Sequence, residues 1–217
     1  MESFPEFKTY AQQLVDLARW AYRNNWAPGT STNYSVRLPQ QAAPAFCAIT
    51  SSGVDKESIE VEHIVAVDSQ GHPVDGKGLP PSAETLLHMM LYKTLDAGAV
   101  FHTHSMAATL LSKMASHQGS LVLSGWEILK GLNGIDTHEA EVVLPIFPND
   151  QDMTALAALI EPRLIRERPL YGFLIAGHGL YVWGHDLNET KRHLEVYEFI
   201  LQCEREVKIY GHASNSR

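Results

Sequence analysis

Apolar residues recur at spacings of three and four in the first part of the chain, which is the period of an amphipathic α-helix. The stripe consists of Phe7, Tyr10, Leu14, Leu17, Ala18 and Ala21. It stops before residues 24–29, where two asparagines, a proline and a glycine are typical of a helix end. The pattern therefore predicts an opening helix that ends near Asn24.

Short runs of β-branched, aromatic and other apolar residues follow the first helix and predict strands. These runs cover residues 33–38, 45–50, 64–68, 99–102, 121–123, 141–146, 171–176 and 180–183. Residues 71–81 are rich in glycine and proline, and they predict a turn region between the third strand and the next helix.

Two helical patterns flank the fourth predicted strand. The first begins at Ser82, a good N-cap residue, and Gly98 closes it. Its apolar positions are Leu86, Leu87, Met90, Leu91 and Leu95. The second helix is predicted over residues 105–115, directly after the strand.

Two further helices are predicted in the second half of the chain. Asp150 is expected to cap the first of them, and Pro162 should kink or shorten it. The last helix is expected to begin with Asn188 as its cap and to end at Gly211. The apolar positions of these two helices are Leu156, Ile160, Leu164, Leu194, Tyr197, Ile200 or Leu201, and Val207.

Helices and strands alternate along the chain, but several strands follow one another with no helix between them. A mixed sheet with helices on both faces explains this order better than a doubly wound parallel sheet. No repeat and no linker interrupts the sequence, so we expect one α/β domain that spans residues 1–217.

The charge balance restricts the partners of this domain. The chain has 217 residues, with 17 Lys and Arg against 25 Asp and Glu, and a formal net charge of −8. Nucleic-acid binding depends on clustered cations, so we expect no nucleic-acid partner. The charge of an anionic substrate would have to be met locally, by groups within the binding site.

The sequence also suggests a compartment. No apolar run reaches the roughly 18 residues of a membrane helix, and the N-terminus lacks the basic and apolar regions of a signal peptide. Cys47 and Cys203 are far apart and show no paired spacing, so reduced thiols are expected. These features favour a cytoplasmic protein that does not bind membranes.

Three of the eleven histidines form the strongest candidate site. His102 and His104 lie at the end of a predicted strand, where side chains two residues apart project to the same face. His178 follows another apolar run and is flanked by two glycines, which let the backbone approach closely. Three imidazoles that leave one coordination position open are typical of catalytic zinc sites. The other eight histidines are expected to be background: His63, His72, His88, His117, His138, His185, His193 and His212.

Small polar residues and two glutamates complete the candidate chemistry. Residues 29–33, 50–53 and 80–84 combine hydroxyl groups, glycines and a helix start, which together can bind phosphate without lysine, although ordinary turns have the same composition. Glu84, in the predicted first turn of a helix, and Glu127 could transfer protons next to a metal-bound carbonyl group.

Five blocks of the sequence resemble the class II aldolase family of zinc-dependent sugar-phosphate enzymes. The blocks are residues 29–37, 50–53, 81–84, 102–104 and 178–179, and they occur in the family's order over nearly the whole chain. The resemblance implies a three-layer α/β/α fold with a mixed, mostly antiparallel sheet. It also implies one Zn²⁺ per subunit, bound by His102, His104 and His178. The residues expected around a substrate phosphate are Asn33, Ser51, Ser52, Gly53 and Ser82.

Residues 126–131 and 178–184 further resemble the branch of this family that dehydrates a methylthiopentulose phosphate in methionine salvage. The resemblance implies that Glu127 is the acid/base, while Glu84 matches the position that the aldolases use as base and metal neighbour. The expected reaction is loss of water from 5-methylthioribulose 1-phosphate, which gives a 2,3-diketone phosphate.

Two alternatives remain open from the sequence. The first is an aldolase or 4-epimerase acting on fuculose, rhamnulose or ribulose phosphate, with Glu84 as the main base. The second is a non-catalytic scaffold domain that keeps only the fold, which should have lost the three histidines. The resemblance also implies a homotetramer with active sites between subunits, and Trp126, Tyr181 and Trp183 are candidate pocket or interface aromatics.

Overall fold

A computed structural model describes residues 4–167 and 169–214 of the chain. The helices are α1 (Phe7–Arg23), α2 (Thr85–Thr94), α3 (Met106–Met114), α4 (Met153–Arg166) and α5 (Leu187–Ser214). The strands are β1 (Asn33–Arg37), β2 (Cys47–Thr50), β3 (Ile64–Val67), β4 (Ala99–Thr103), β5 (Ser120–Leu123), β6 (Val142–Phe147), β7 (Gly172–Ile175) and β8 (Gly179–Gly184). All eight predicted strands are therefore confirmed, with ends that differ by one or two residues.

The strands form one eight-stranded sheet with the order β3-β2-β1-β4-β8-β7-β6-β5. Every neighbouring pair is antiparallel except β6 and β7, which are parallel. The mixed, mostly antiparallel sheet is thus confirmed. The start of β1, the end of β2, the end of β4 and the start of β8 consequently lie at the same end of the sheet.

Helices cover both faces of the sheet because successive strand residues point to opposite sides. In β4, Phe101 packs with α1, α3 and α5 in one apolar cluster, whereas Val100 packs with α2 and α4 in the other. Each cluster excludes water from one face of the sheet, so the strands are apolar on both sides. The predicted α/β/α layering is confirmed.

The start of α2 differs from the prediction. The helix begins at Thr85, and Glu84 occupies the position before it, without a side-chain cap. Ser82 lies in a preceding turn, where its carbonyl oxygen accepts hydrogen bonds from the backbone nitrogen and the hydroxyl group of Thr85. Glu84 consequently occupies the N-cap position of α2 rather than its first turn. At the other end, α2 stops at Thr94, before Leu95 and Gly98.

Helix α4 corrects the expected cap, and Pro162 does not shorten the helix. Its cap is Asp152, which accepts hydrogen bonds from the backbone nitrogens of Thr154 and Ala155. The side chain of Asp150 accepts from the nitrogen of Asp152 instead, one step before the helix. The helix also continues past Pro162 to Arg166, because its apolar face stays buried against the sheet on both sides of the proline.

Helix α5 begins earlier and ends later than predicted. Asp186, not Asn188, accepts the hydrogen bond from a first-turn nitrogen, that of Glu189. The helix then passes through Gly211 to Ser214. Glycine weakens a helix without necessarily ending it, and the buried apolar stripe of α5 keeps it continuous over most of its length.

Two other expectations concern the state of the cysteines and a membrane-spanning helix. Cys47 is buried and Cys203 is half-buried, and both thiols are free. Within the described ranges, no helix is long and apolar enough to cross a lipid bilayer.

Candidate metal centre and active site

The three predicted histidines come together at one end of the sheet. The Nε2 atom of His102 lies 2.7 Å from Nε2 of His104 and 3.4 Å from Nε2 of His178. The carboxylate of Glu84 completes the cluster, with its oxygens 3.3 Å from Nε2 of His102 and 3.5 Å from Nε2 of His178. One ligand atom from each of the four residues lies within 4.8 Å of all the others.

The donor set suits a divalent metal ion. Nδ1 of His102 lies 3.0 Å from the carbonyl oxygen of Leu180, which can only accept a hydrogen bond. Nδ1 of His102 therefore carries the proton, and the lone pair of Nε2 points toward the other two histidines. Such a backbone hydrogen bond is the usual way of orienting a metal-binding imidazole. Two nitrogen lone pairs 2.7 Å apart repel one another unless a cation or a proton lies between them.

The electrostatics of the cluster disfavour a proton in that place. Burial lowers the pKa of His102 well below its usual value, and the nearby His178 lowers it further. Burial also lowers the pKa of His104, with further contributions from His102 and His178. Neutral imidazoles are the form that binds metal ions, so the cluster is prepared for a metal at neutral pH.

Strand position and hydrogen bonds to other segments of the chain position the three histidines. His102 is the fourth residue of β4, and the backbone nitrogen of His104 donates to the carbonyl oxygen of Trp26. His178 lies in the turn between β7 and β8, where its carbonyl oxygen accepts from the hydroxyl group of Thr109 in α3. The cluster therefore depends on contacts between segments far apart in sequence.

Gly179 permits the close approach of β8 to β4. A Cβ atom at this position would lie 2.0 Å from the carbonyl oxygen of Thr103 and 3.0 Å from ring carbons of both His102 and His104. This contact explains why a glycine is needed next to His178, as the sequence predicted. On the other side, the buried ring of Tyr181 stacks on His102 at a centroid distance of 4.0 Å.

The structure brings four of the five predicted phosphate residues together at the same end of the sheet. Ser51, Ser52 and Gly53 follow β2, and Ser51 forms an isolated antiparallel bridge with Pro81, next to Ser82. Within the part of the chain that the structure describes, the buried hydroxyl group of Ser51 has no hydrogen-bond partner. Ser82 is buried as well, whereas Ser52 and Gly53 are exposed.

Asn33, the fifth predicted phosphate residue, makes a contact that the sequence did not suggest. It is the first residue of β1 and pairs across the sheet with His102. Its amide nitrogen donates to the carboxylate of Glu84 at 2.7 Å. Asn33 therefore touches the acidic member of the cluster directly.

A buried lysine was missed in the sequence. Lys56 is fully buried, and its ammonium group donates to the carbonyl oxygens of Val54 at 2.7 Å and Thr30 at 3.3 Å. Burial lowers its pKa to about 8. Lys56 joins the two loops predicted to bind phosphate, and its charge lowers the pKa of His104. Its position three residues after Gly53 was the available signal.

The structure places His88, expected to be background, in contact with Asn33 next to the cluster. It is fully buried in α2, and Nε2 of its ring lies 2.5 Å from the side-chain oxygen of Asn33. Glu84 and His88 are four residues apart, and side chains at this spacing face the same way at a helix start. That spacing could have indicated the contact, but the position of Asn33 could not be deduced from it.

Glu127 is placed differently from Glu84. Its carboxylate is largely exposed, 2.5 Å from the ammonium group of Lys130 and 3.6 Å from Nδ1 of His138. The hydrogen bond and the charge of Lys130 lower the pKa of Glu127, and His138 contributes to the same shift. No hydrogen bond or ion pair among the described residues joins Glu127 to the histidine cluster within one chain.

Comparison with known proteins now defines the family. The model of the class II aldolase and adducin N-terminal domain matches residues 12–204, most of the chain. The chain belongs to this family. Two relatives of this chain bear the name methylthioribulose-1-phosphate dehydratase. The protein from Sorangium cellulosum is 44% identical over 93% of both chains, and the one from Xanthomonas campestris pv. campestris is 46% identical over 91% of this chain and 88% of its own.

Solved structures confirm the fold of this class II aldolase-family chain. An L-fuculose 1-phosphate aldolase superposes with a TM-score of 0.75 at 22% identity, covering 94% of this chain and 88% of its own. The L-fuculose-1-phosphate aldolase from Thermus thermophilus gives a TM-score of 0.71 at 21% identity, covering 97% and 99%. At these identities, the likeness concerns the fold alone.

Proposed function

We propose that this enzyme is a hydro-lyase that removes water from 5-methylthioribulose 1-phosphate. The product is the 2,3-diketo-5-methylthiopentyl 1-phosphate, an intermediate of methionine salvage. The observation that carries the proposal is the 44% and 46% identity to dehydratases of this name over nearly full length. The intact cluster of three histidines and Glu84 supports an enzyme rather than a scaffold domain.

The proposed cofactor is one Zn²⁺ per subunit, held by His102, His104 and His178. Three neutral imidazoles with an adjacent carboxylate are a donor set that zinc favours. When bound, zinc acts as a Lewis acid that polarises oxygens of the substrate and stabilises negative charge developing next to its carbonyl group.

The protein side chains perform the proton transfers. Water loss requires a base that removes the proton from C3 of the substrate and an acid that protonates the leaving hydroxyl group on C4. The resulting enol then tautomerises to the diketone. We assign both transfers to Glu127, with Glu84 assisting from its position beside His102 and His178.

Glu127 does not contact the histidines of its own chain, so this assignment requires it to act in a neighbouring subunit. The family resemblance implies a homotetramer with active sites between subunits. The side chain of Glu127 is largely exposed, which suits such a role. We therefore propose a tetramer in which Glu127 enters the metal site of the adjacent copy, in a cytoplasmic enzyme.

The phosphate group of the substrate is assigned to Asn33, Ser51, Ser52, Gly53 and Ser82. The orphaned hydroxyl group of Ser51 and the exposed residues Ser52 and Gly53 supply neutral donors. The buried ammonium group of Lys56 adds a positive charge behind these loops. The charge of the phosphate is thereby met locally, despite the net charge of −8.

Incubation of the purified protein with 5-methylthioribulose 1-phosphate tests the reaction. We expect a product lighter by one water, with the ultraviolet absorbance of a diketone or its enol. Glu84 lies beside the metal ligands, which is the place of the base in an aldolase, and this observation favours aldol cleavage as the second candidate. Dihydroxyacetone phosphate and an aldehyde as products would establish aldol cleavage and overturn the dehydratase proposal.

The Glu127→Gln variant tests the assigned acid/base. It should bind zinc normally and form the native oligomer, yet lose about 100-fold or more of kcat, the usual range for a general acid/base. Mixing Glu127→Gln with an inactive His178→Ala variant should restore part of the activity if the two groups meet across an interface. Full activity of Glu127→Gln would contradict the assignment.

A further inference from the structure

A chain of buried hydrogen bonds leads from Glu84 into the second apolar layer. Asn33 donates to Glu84 at 2.7 Å, and the oxygen of the Asn33 amide lies 2.5 Å from Nε2 of His88. Nδ1 of His88 lies 2.7 Å from the hydroxyl oxygen of Ser35, which in turn lies 2.7 Å from the hydroxyl oxygen of Tyr92. His88, Ser35 and Tyr92 are all buried.

Each donor and acceptor in this chain can be assigned from chemistry. The carboxylate of Glu84 accepts, so the amide nitrogen of Asn33 must face it, and the amide oxygen of Asn33 faces His88. That oxygen can only accept, so Nε2 of His88 carries the proton. A neutral imidazole then accepts at Nδ1 from the hydroxyl group of Ser35, whose oxygen is left to accept from Tyr92.

Burial supports the neutral form of His88. It lowers the pKa of His88 to about 4, although the charge of Glu84 opposes the shift. The ring is also fixed from a second direction, because it packs edge-on against Tyr181 at a centroid distance of 5.8 Å. Tyr181 in turn stacks on His102, so His88 is linked to Glu84 through Asn33 and to His102 through Tyr181.

We propose that His88 is a positioning residue that fixes the amide orientation of Asn33, and through it the carboxylate of Glu84. With its oxygen engaged by His88, Asn33 presents only N–H groups to the site. One of them holds Glu84, and the other is free to donate to a substrate oxygen. Without His88, the amide can turn its oxygen toward Glu84, where acceptor would face acceptor and displace the carboxylate.

The consequence for the site is geometric. Reacting groups must be held within fractions of an ångström, and a misplacement of about 1 Å can cost roughly 100-fold in rate. Ser35 and Tyr92 extend the arrangement, since the hydroxyl group of Ser35 can donate to Nδ1 of His88 and accept from Tyr92. This role rests on the proposed function only for its kinetic test, because the tautomer can be observed without substrate.

The tautomer is tested by NMR on protein labelled with ¹⁵N-histidine. We expect the His88 ring to be neutral at pH 7, protonated at Nε2 and unprotonated at Nδ1. The signal is identified by its loss in the His88→Gln variant. A His88 ring protonated at Nδ1, or at both nitrogens, would overturn the proposal whatever reaction the enzyme catalyses.

The kinetic test compares two substitutions at the same position. Glutamine keeps a donor and an acceptor about as far apart as the two ring nitrogens, whereas leucine removes both. We expect His88→Leu to lower kcat by roughly 100-fold and His88→Gln to stay within a few-fold of the wild type, with equal zinc content in both. Equal losses in the two variants, or an unchanged kcat in His88→Leu, would contradict a positioning role.

Two further variants separate positioning from packing. His193 is another buried histidine, bonded to the carbonyl oxygen of Trp183, so His193→Leu should lower the melting temperature and leave kcat unchanged. If His88→Leu does not fold, His88→Phe replaces it as the test, because it keeps a buried ring and removes both ring nitrogens. A kcat of His88→Phe at the wild-type value would overturn the proposal. If the wild type dehydrates no substrate, the proposed function fails, while the NMR result still decides the role of His88.

Discussion

At the residue scale, the metal centre depends on the side chains of three histidines and one glutamate. His102, His104 and His178 were identifiable from spacing, because two of them lie two residues apart on a strand and the third is flanked by glycines. Glu84 was identifiable only as a candidate, since many acidic residues have similar neighbours. The two contacts that single it out, to His102 and to Asn33, join distant parts of the chain.

Gly179→Ala should disrupt the metal centre. The added methyl group would collide with the carbonyl oxygen of Thr103 and crowd the rings of His102 and His104, so β8 must move away from β4. We expect loss of bound zinc in elemental analysis, together with a lower melting temperature. Gly76→Ala is the matched control, because its Cβ atom meets nothing within 4 Å and only its positive φ is strained. Normal zinc content in Gly179→Ala would contradict this account.

Lys56→Met should weaken binding of the phosphate group. The substitution keeps an apolar stem but removes the buried charge behind the loops at Thr30 and Val54. We expect KM for the phosphorylated substrate to rise about tenfold, equivalent to about 1.4 kcal/mol, with a smaller effect on kcat.

Lys77→Met provides the control for Lys56→Met. Lys77 also donates to a backbone carbonyl oxygen, that of Ile64, but this residue belongs to the edge strand β3. Its KM should stay at the wild-type value, and inhibition by inorganic phosphate should weaken only in Lys56→Met. Equal KM values for both variants would show that the charge of Lys56 does not reach the phosphate.

At the element scale, the sequence predicted which segments are helical more accurately than where they begin. Periodicity reports the buried face of a helix, which depends on many residues. A cap depends on the direction of one side chain, and neighbouring Asp, Asn and Ser residues compete for the role. In the structure, Asp152 and Asp186 accept the capping hydrogen bonds that were predicted for Asp150 and Asn188.

The cap of α4 can be tested by paired substitutions. Asp152→Ala removes the acceptor for the nitrogens of Thr154 and Ala155, so it should lower the free energy of unfolding by about 1 kcal/mol. Asp150→Ala removes one turn contact outside the helix and should cost less. Urea denaturation of both variants measures the difference, and a larger loss in Asp150→Ala would show that the helix begins at the earlier aspartate.

At the scale of the whole molecule, buried neutral histidines link stability to pH. The pKa of His88 is about 4 in the folded protein, whereas an unfolded histidine titrates near its usual value of 6.5. Between these values the unfolded chain binds the proton and the folded chain does not, so acid favours unfolding. The stabilisation is complete above about pH 6.5 and is lost as the pH falls toward 4, for a total of about 3 kcal/mol.

Metal-free protein allows this pH dependence to be measured. Urea denaturation between pH 7 and pH 4 should show a steeper loss of stability in the wild type than in His88→Gln, which has no titrating ring at this position. Both proteins keep the histidines of the metal cluster and Glu84, so the comparison isolates the effect of the His88 ring. Parallel pH curves for the two proteins would contradict a low pKa for His88.

The sequence by itself determined which segments form helices and strands, the layering of the fold and the identity of the three histidines. Each of these follows from local information: apolar periodicity, strand alternation and short spacings with strong chemical preference. The family resemblance added the zinc and phosphate assignments.

Only the tertiary structure decided which polar groups meet. It selected Glu84 over Glu127 as the acidic neighbour of the histidines within one chain, and it joined His88 to Asn33. It also placed Lys56 beneath the loops around Thr30 and Val54. These contacts link residues whose separation in sequence carries no information about their distance in space. They are set by how β1, β4 and β8 are paired and by the helices that pack on them, because hydrogen bonds and charges act over a few ångströms only.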